Sequence, residues 1–156
     1  GEQPESQRDP QAATVVLRSN FEGPALFLGL MAERFEARGF GALIGISSVA
    51  GDRGRASNYV YGAAKAGFSA FLSGLRNRFS RTAIKVITVK PGFVATKMTE
   101  GMDLNPRLTA TPDAVAQAIF AGQNKGRNVI YVKPVWWLVM SIICALPEMI
   151  FKKTQL

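Results

Sequence analysis

The chain has 156 residues, 47% of them hydrophobic, enough for one globular domain with a core of its own. It has no histidine and one cysteine, Cys144, which excludes a Ser-His-Asp triad, histidine or cysteine metal clusters and a disulfide framework. A net charge of +8 raises the question of nucleic acid, but Arg53, Arg55, Lys65, Arg76, Arg78 and Arg81 are scattered with no nucleic-acid module around them; they are read as a solvated basic face.

Residues 1–8 are expected to be disordered, and the polar first thirteen residues are not expected to act as a signal peptide. Asp9-Pro10 then supplies an N-cap acceptor and a proline at the first helical position. Val15, Val16, Leu26, Phe27, Leu30, Met31 and Phe35 carry the apolar pattern to a stop at Gly39. A helix over 10–38 would be ~43 Å long, with a kink at Gly23-Pro24. "GALIGISS" (41–48) is a short apolar run bounded by glycine, hence a buried strand. A second helix covers 58–80. "AIKVITVKPG" (83–92) alternates, is β-branched and ends in a Pro-Gly break, as a strand does. Thr111-Pro112-Asp113 opens a third helix (112–122), "RNVIYVKP" (127–134) is a third strand, and an apolar C-terminal helix is assigned to 135–151.

Strand, helix, strand, helix, strand implies parallel strands with crossover helices, an open α/β sheet. In such sheets chemistry gathers at the carboxyl ends of the strands. Ser48 ends the first strand and Pro91-Gly92 ends the second, so both lie on that edge.

Tyr61 and Lys65 are four residues apart, one turn along one helix face. A phenol with a pKa near 10 is a poor acid or base at neutral pH, and a neighbouring ammonium favours its ionised form. Such a tyrosine can pass a proton to or from an alcohol oxygen. A serine hydroxyl beside it can donate to the same oxygen as its charge changes. Strand alternation points Ser47 and Ser48 to opposite faces, so only one of them can serve. Tyr59 has Ala63 four residues on and therefore no lysine.

Tyr61-x-x-x-Lys65, with Ser48 thirteen residues before the tyrosine, resembles the short-chain dehydrogenase/reductases. Asn20 in "SNFEGPALFL" and the segment "VKPGFVATKM" (89–98) match two further motifs of that family in the same order, over roughly residues 12–132. The resemblance implies a Rossmann-like doubly wound parallel sheet and an NAD(P)-dependent oxidoreductase that interconverts a carbonyl and an alcohol. It implies catalytic roles for Asn20, Ser48, Tyr61 and Lys65. Tyr61 would be the general acid/base and Ser48 would polarise the carbonyl. Lys65 would lower the tyrosine pKa and hold the nicotinamide ribose, and Asn20 would support a water-linked proton path. Cofactor contacts are implied at Tyr61, Lys65, Pro91, Gly92, Val94 and Thr96, with NAD or NADP as the cofactor and no metal. The rival expectation is a non-enzymatic scaffold or binding module on the same fold.

The family's first strand, glycine-rich turn and helix have no counterpart in the sequence. "GFGALIG" (39–45) precedes its strand instead of following one, so it makes no phosphate cradle. The chain thus resembles the C-terminal half of such a domain, with three parallel strands, and its opening on Gly1 is expected of a piece of a longer protein. The uncharged run from Pro134 to Pro147 would reach only ~18 Å as a helix, against a ~30 Å hydrocarbon core. It is read either as a core or interface helix, or as a segment lying in a membrane surface with Lys152-Lys153 facing anionic lipid. The tail and the two motif segments resemble reductases of polyprenyl-phosphate-linked keto-sugars, so the implied substrate is a small-molecule or lipid-linked carbonyl. A cytoplasmic location is expected, with peripheral membrane contact through 135–153 as the tail's second option. A homodimer or homotetramer is expected through the two long helices, with Phe68, Phe71, Leu72 and Leu75 in the interface.

Overall fold

The structure is a computed structural model that describes residues 3–99 and 101–154. Its centre is a three-stranded parallel sheet in the order β1 (Phe40–Ile46), β2 (Ala83–Lys90), β5 (Val129–Tyr131). β1 runs in register with β2 from Phe40 opposite Ala83 to Ile46 opposite Val89, and β2 meets β5 from Thr88 opposite Val129 to Lys90 opposite Tyr131. The α/β class and parallel order are as the sequence predicts. Two short strands, β3 (Phe93–Val94) and β4 (Thr109–Ala110), pair separately beyond the carboxyl end of β2. Among the described residues β1 pairs only with β2, so its outer edge carries unpaired backbone groups.

The side-chain alternation of β2 divides the core between two faces. Ile84 and Val86 join Leu43 under α3 (Gly23–Arg38) and α4 (Tyr59–Arg78), against Ala25, Ala32, Phe68, Leu72, Leu75 and Phe79. Ile87 and Val89 point the other way, to Ile130, Val132 and the half-buried apolar side of α5 (Pro112–Asn124). Helices on both faces make the doubly wound arrangement. This corrects the expected interface: Phe68, Leu72 and Leu75 are buried within the chain and Phe71 is packed against the same cluster. On the helices before β1, by contrast, apolar side chains that include Val15, Leu26, Phe27 and Leu30 are left exposed.

The first helical stretch differs from the sequence expectation in two ways. Gln3–Ser6 form a short helix, α1, where disorder was expected; Gln3 Oε1 accepts the Val60 N–H at 3.0 Å and Ser6 is buried. That tertiary contact is invisible to composition. Gly1 and Glu2 lie outside the described residues. The long helix is α2 (Pro10–Leu17), capped by Asp9, then a π turn over Arg18–Glu22, then α3. The kink is therefore wider than one proline joint. Pro24 has no N–H to donate to the Asn20 carbonyl four residues back, and the Gly23 N–H reaches Arg18 instead.

The basic residues are not simply a solvated face. Arg76 donates to the Val86 carbonyl at 3.0 Å and to Thr88 Oγ1 at 2.6 Å. Arg78 on α4 holds Glu33 and Glu36 of α3. Arg53 is also engaged, as described below. The C-terminal helix assigned to 135–151 is two pieces, α6 (Val135–Ala145) and α7 (Glu148–Phe151), separated at Leu146-Pro147 because proline supplies no helical N–H. No helix among the described residues is long and apolar enough to cross a membrane.

Candidate active site

The site lies where β1 and β2 end, and its spacing is set by backbone contacts. Beyond β1 the ladder continues for two more bonds: the Ser47 N–H donates to Val89 O at 2.8 Å and the Val49 N–H to Pro91 O at 3.0 Å. Alternation separates the two serines as expected. The Ser47 hydroxyl faces α4, donating to Lys65 O at 3.0 Å and sharing a 2.7 Å bond with Ser69 Oγ. It is a structural hydroxyl. Ser48 points the other way, is 8% exposed, and accepts the Ala50 N–H at 3.1 Å as the cap of a short 3₁₀ turn, Val49–Gly51.

That turn sits directly on the helix that carries Tyr61 and Lys65. A Cβ at Gly62 would stand 2.9 Å from the Ala50 carbonyl oxygen, and one at Gly51 would stand 2.7 Å from the Ala66 nitrogen. Both positions lack a side chain because two backbones meet there. As a result the Ser48 turn is seated beside the first turn of α4, which carries Tyr61.

Burial pushes the Tyr61 pKa up, and the Ser48 hydroxyl opposes it by favouring the phenolate. Lys65 lies one turn further along the same helix. Its ammonium donates to the Ile46 carbonyl at 3.1 Å and lies 5.6 Å from the Tyr61 ring centroid. Burial lowers the Lys65 pKa in turn. An ammonium has three donors, and its bond to Ile46 leaves two for a ligand.

The Asn20 side chain makes its hydrogen bonds away from this trio. It occupies the π turn, and its side-chain amide bonds Val16 O and Ser19 Oγ, both at 3.1 Å, within its own helix. Pro91 is buried, with its carbonyl taken by Val49 N and approached by Ser48 Oγ at 3.5 Å. Gly92 has a packing reason to be glycine, since a Cβ there would stand 2.0 Å from the Trp136 indole. The Val94 carbonyl accepts Thr99 Oγ1 at 2.7 Å, and the exposed Thr96 gives its N–H to the same hydroxyl while its own makes only a 3.5 Å contact. Hydroxyls at Ser48, Tyr61 and Thr96 and an ammonium at Lys65 with two further donors are groups of the kind that bind a ribose and a carboxamide. No group of three or more His, Cys, Asp or Glu that could hold a metal occurs among the described residues.

Sequence reasoning missed the residues around this trio. The Asp52 carboxylate is held by the Lys90 ammonium at the end of β2 and accepts the Tyr131 hydroxyl at 2.9 Å at the end of β5. Burial first, then the bond and charge of Asp52, push the Tyr131 pKa far up, so it stays a neutral donor. Arg53 reaches the C-terminus of α6. Only their adjacency to the serine turn could have drawn attention to them.

Residues 1–106 match the model of the short chain dehydrogenase family. An uncharacterised oxidoreductase of Mycobacterium tuberculosis (strain CDC 1551 / Oshkosh) is 35% identical over 146 residues, covering 94% of this chain and 57% of the relative. An uncharacterised oxidoreductase of Streptomyces coelicolor is 36% identical, covering 98% of this chain and 60% of its own. The chain thus spans little more than half the length of these relatives. Among solved structures, a short chain dehydrogenase from Burkholderia cenocepacia in complex with NADP superposes with a TM-score of 0.78 at 20% identity, over 88% of this chain and 58% of that one. At that identity the likeness concerns the fold.

Proposed function

The chain belongs to the short-chain dehydrogenase family, and from that premise we propose that it carries the catalytic part of an NAD(P)-dependent oxidoreductase that interconverts a carbonyl and an alcohol. The observation that carries the proposal is the close seating of the Ser48 turn on α4 at Gly51 and Gly62, with the Lys65 ammonium 5.6 Å from the Tyr61 ring, at the carboxyl edge of the sheet. In the reducing direction the substrate carbonyl oxygen accepts hydrogen bonds from the Ser48 and Tyr61 hydroxyls. The nicotinamide, when bound, supplies the hydride to the carbonyl carbon. Tyr61 gives its proton to the oxygen, so one carbonyl, one hydride and one proton become one alcohol. The phenolate left behind is stabilised by Ser48 and reprotonated by way of Lys65 and water at Asn20. Lys65 and Tyr61 would hold the ribose side of the cofactor, and Pro91, Gly92, Val94 and Thr96 the nicotinamide side. A further strand pairing parallel to the open edge of β1 would bring the rest of the cofactor site. A groove of about 310 Å³ lined by Phe27, Ile44, Ile46 and Phe68 runs along that edge, ready for its side chains.

Tyr61→Phe in the full-length protein tests this. The expected result is loss of about 100-fold or more in turnover, with NADH or NADPH fluorescence titrations little changed. Wild-type turnover in that variant would overturn the proposal, and failure of the wild type to bind either dinucleotide would favour the scaffold.

Assembly and surroundings are part of the same proposal. The parent protein is a homo-oligomer whose contact uses the exposed apolar residues of α2 and α3 beside α4. The tail meets an anionic lipid surface. Trp136, Met140 and Ile143 face the core, while Trp137 (59% exposed), Leu138, Ile142, Met149 (74%) and Ile150 face out. Lys152 and Lys153 border a shallow concavity with Met149 and Ile150, and Glu148, the acidic residue nearby, is paired to Arg53. Apolar side chains with ammonium groups beside them suit an anionic interface, and with it a carbonyl substrate carried on a lipid. The expected result is cosedimentation with phosphatidylglycerol vesicles and not with phosphatidylcholine vesicles, lost in Trp137→Ser and in Lys152→Glu with Lys153→Glu. Indifference to vesicle charge would overturn it, as would Trp137-dependent self-association without binding.

A further inference from the structure

We infer that Asp52 and Arg53 are positioning residues that lock the Ser48 turn onto the ends of β2 and β5 and onto α6, so that Ser48 stays at the Tyr61 phenol.

The 3₁₀ turn after Ser48 is only three residues long and has little rigidity of its own. Its contacts with α4 through Gly51 and Gly62 limit how closely it can approach, but a limit of approach does not hold it there. Asp52 and Arg53, the next two residues, do.

The Asp52 side chain is 8% exposed and its two oxygens are divided between two strands. One takes the Lys90 ammonium, and the other takes the Tyr131 hydroxyl at 2.9 Å. A carboxylate this buried must be paired, and the partners here are the last residues of β2 and β5. The Asp52 carbonyl accepts the Cys144 thiol from α6 at 3.5 Å. Arg53 ties the turn to the same helix more strongly. Its Nη1 donates to the carbonyls of Ile143 and Leu146 at 2.6 Å, with Cys144 O at 3.3 Å. Its Nη2 pairs with Glu148 at 3.0 Å, and the guanidinium stacks 3.7 Å from the Phe151 ring centroid. The carbonyls at a helix C-terminus have no intrahelical partners and carry the negative end of the dipole. Arg53 satisfies both needs at once.

The linkage closes on the other half of the site. α6 holds the Trp136 indole against Gly92, with its N–H on Leu108 O at 2.9 Å and its ring edge-on to Phe93 at 5.5 Å. Pro91, next to Gly92, accepts Val49 N–H from the serine turn. Ser48 and the Pro91-Gly92 segment are thereby one body, fixed by Asp52 from the sheet side and by Arg53 from the helix side.

The kinetic arm of the test rests on the oxidoreductase activity proposed above; a second arm does not. In the full-length protein, Arg53→Met should lower kcat by about tenfold to a hundredfold, the size of effect a small misplacement produces. KM and dinucleotide affinity should stay within about threefold. The primary deuterium isotope effect with 4-deuterated NAD(P)H should rise, because the chemical step becomes slower relative to binding and release. Arg53→Lys should recover part of the loss, since it keeps a cation at the helix end. Tyr131→Phe removes a single hydroxyl from Asp52 and gives a milder variant should Arg53→Met fail to fold. Its kcat should fall several-fold, about the worth of one hydrogen bond. Hydrogen exchange at the amides of 49–53 should accelerate in each variant while the interior of α4 keeps its protection. Unchanged kcat in folded variants would overturn the inference, and so would a loss spread evenly over cofactor binding and global exchange. If the wild type turns over no carbonyl, the oxidoreductase proposal has failed, and exchange alone decides: unaltered protection at 49–53 in the variants refutes the lock.

Discussion

The turn that Ser48 caps is pressed against the helix turn that carries Tyr61, and the Ser48 hydroxyl lowers the phenol's pKa against the burial that raises it. The sign of the pH dependence follows. The proposed carbonyl reduction would use the protonated phenol, which is present below the Tyr61 pKa and lost as pH rises through it. Ser48→Ala removes the lowering influence, so the high-pH fall of kcat/KM should move to higher pH. Independently, the whole profile should drop by about 100-fold, the usual cost of one donor to a developing oxyanion. Measuring kcat/KM against pH for both proteins separates the two effects. A fall that moves to lower pH in Ser48→Ala would contradict the arrangement.

Gly62 should not tolerate a methyl group. With the Ala50 carbonyl oxygen 2.9 Å from where that methyl would sit, the Ser48 turn must lift off α4. Gly62→Ala is expected to cost about 1–3 kcal/mol of stability, and a turnover loss larger than the stability loss alone accounts for at temperatures where the protein stays folded. Urea denaturation and steady-state turnover at room temperature give the two values. Full activity in a destabilised Gly62→Ala would show that the spacing is not functional.

That Tyr61 and Lys65 share one face of α4, and that Ser47 and Ser48 point apart at the end of β1, was legible from helix and strand periodicity, whereas the choice of Ser48 over Ser47 came from the thirteen-residue spacing of the family it resembles. The parallel order was legible for the same reason. The destination of the apolar faces was not. Phe68, Leu72 and Leu75 read as surplus because the sequence does not say that β1 and β2 both turn side chains toward α4. Nor could spacing reveal the contact of Asp52 with Lys90 and Tyr131, 38 and 79 residues away, or that of Arg53 with α6. Polar contacts made by tertiary closure leave no periodic trace. The π turn at Asn20 was half legible, as a proline kink whose form depended on which carbonyl lost its donor.

Leu72 is fully buried between α4 and the sheet. Leu72→Ala should therefore cost about 2–5 kcal/mol, seen as a lower denaturation midpoint with the same slope. The association state should not change. Dissociation to monomer without loss of stability would instead return Leu72 to an interface between chains.

Pro24 is expected to trade stability for access to Asn20. An α-helix continuing through residue 24 would pair its amide with the Asn20 carbonyl, and proline has no amide hydrogen to give. The chain widens there into a π turn, with the Gly23 N–H reaching back to Arg18. Such turns cost helix stability and gather at functional positions. Pro24→Ala restores the donor, so the turn should tighten and the protein gain part of the ~3 kcal/mol that an interior proline costs. If the Asn20 carbonyl holds the water that reprotonates Tyr61 through Lys65, turnover should fall by about tenfold or more while dinucleotide affinity holds. Thermal unfolding and turnover measured on the same preparation decide the matter. A gain in stability with undiminished turnover would leave the π turn as a packing feature and remove Asn20 from the proton path.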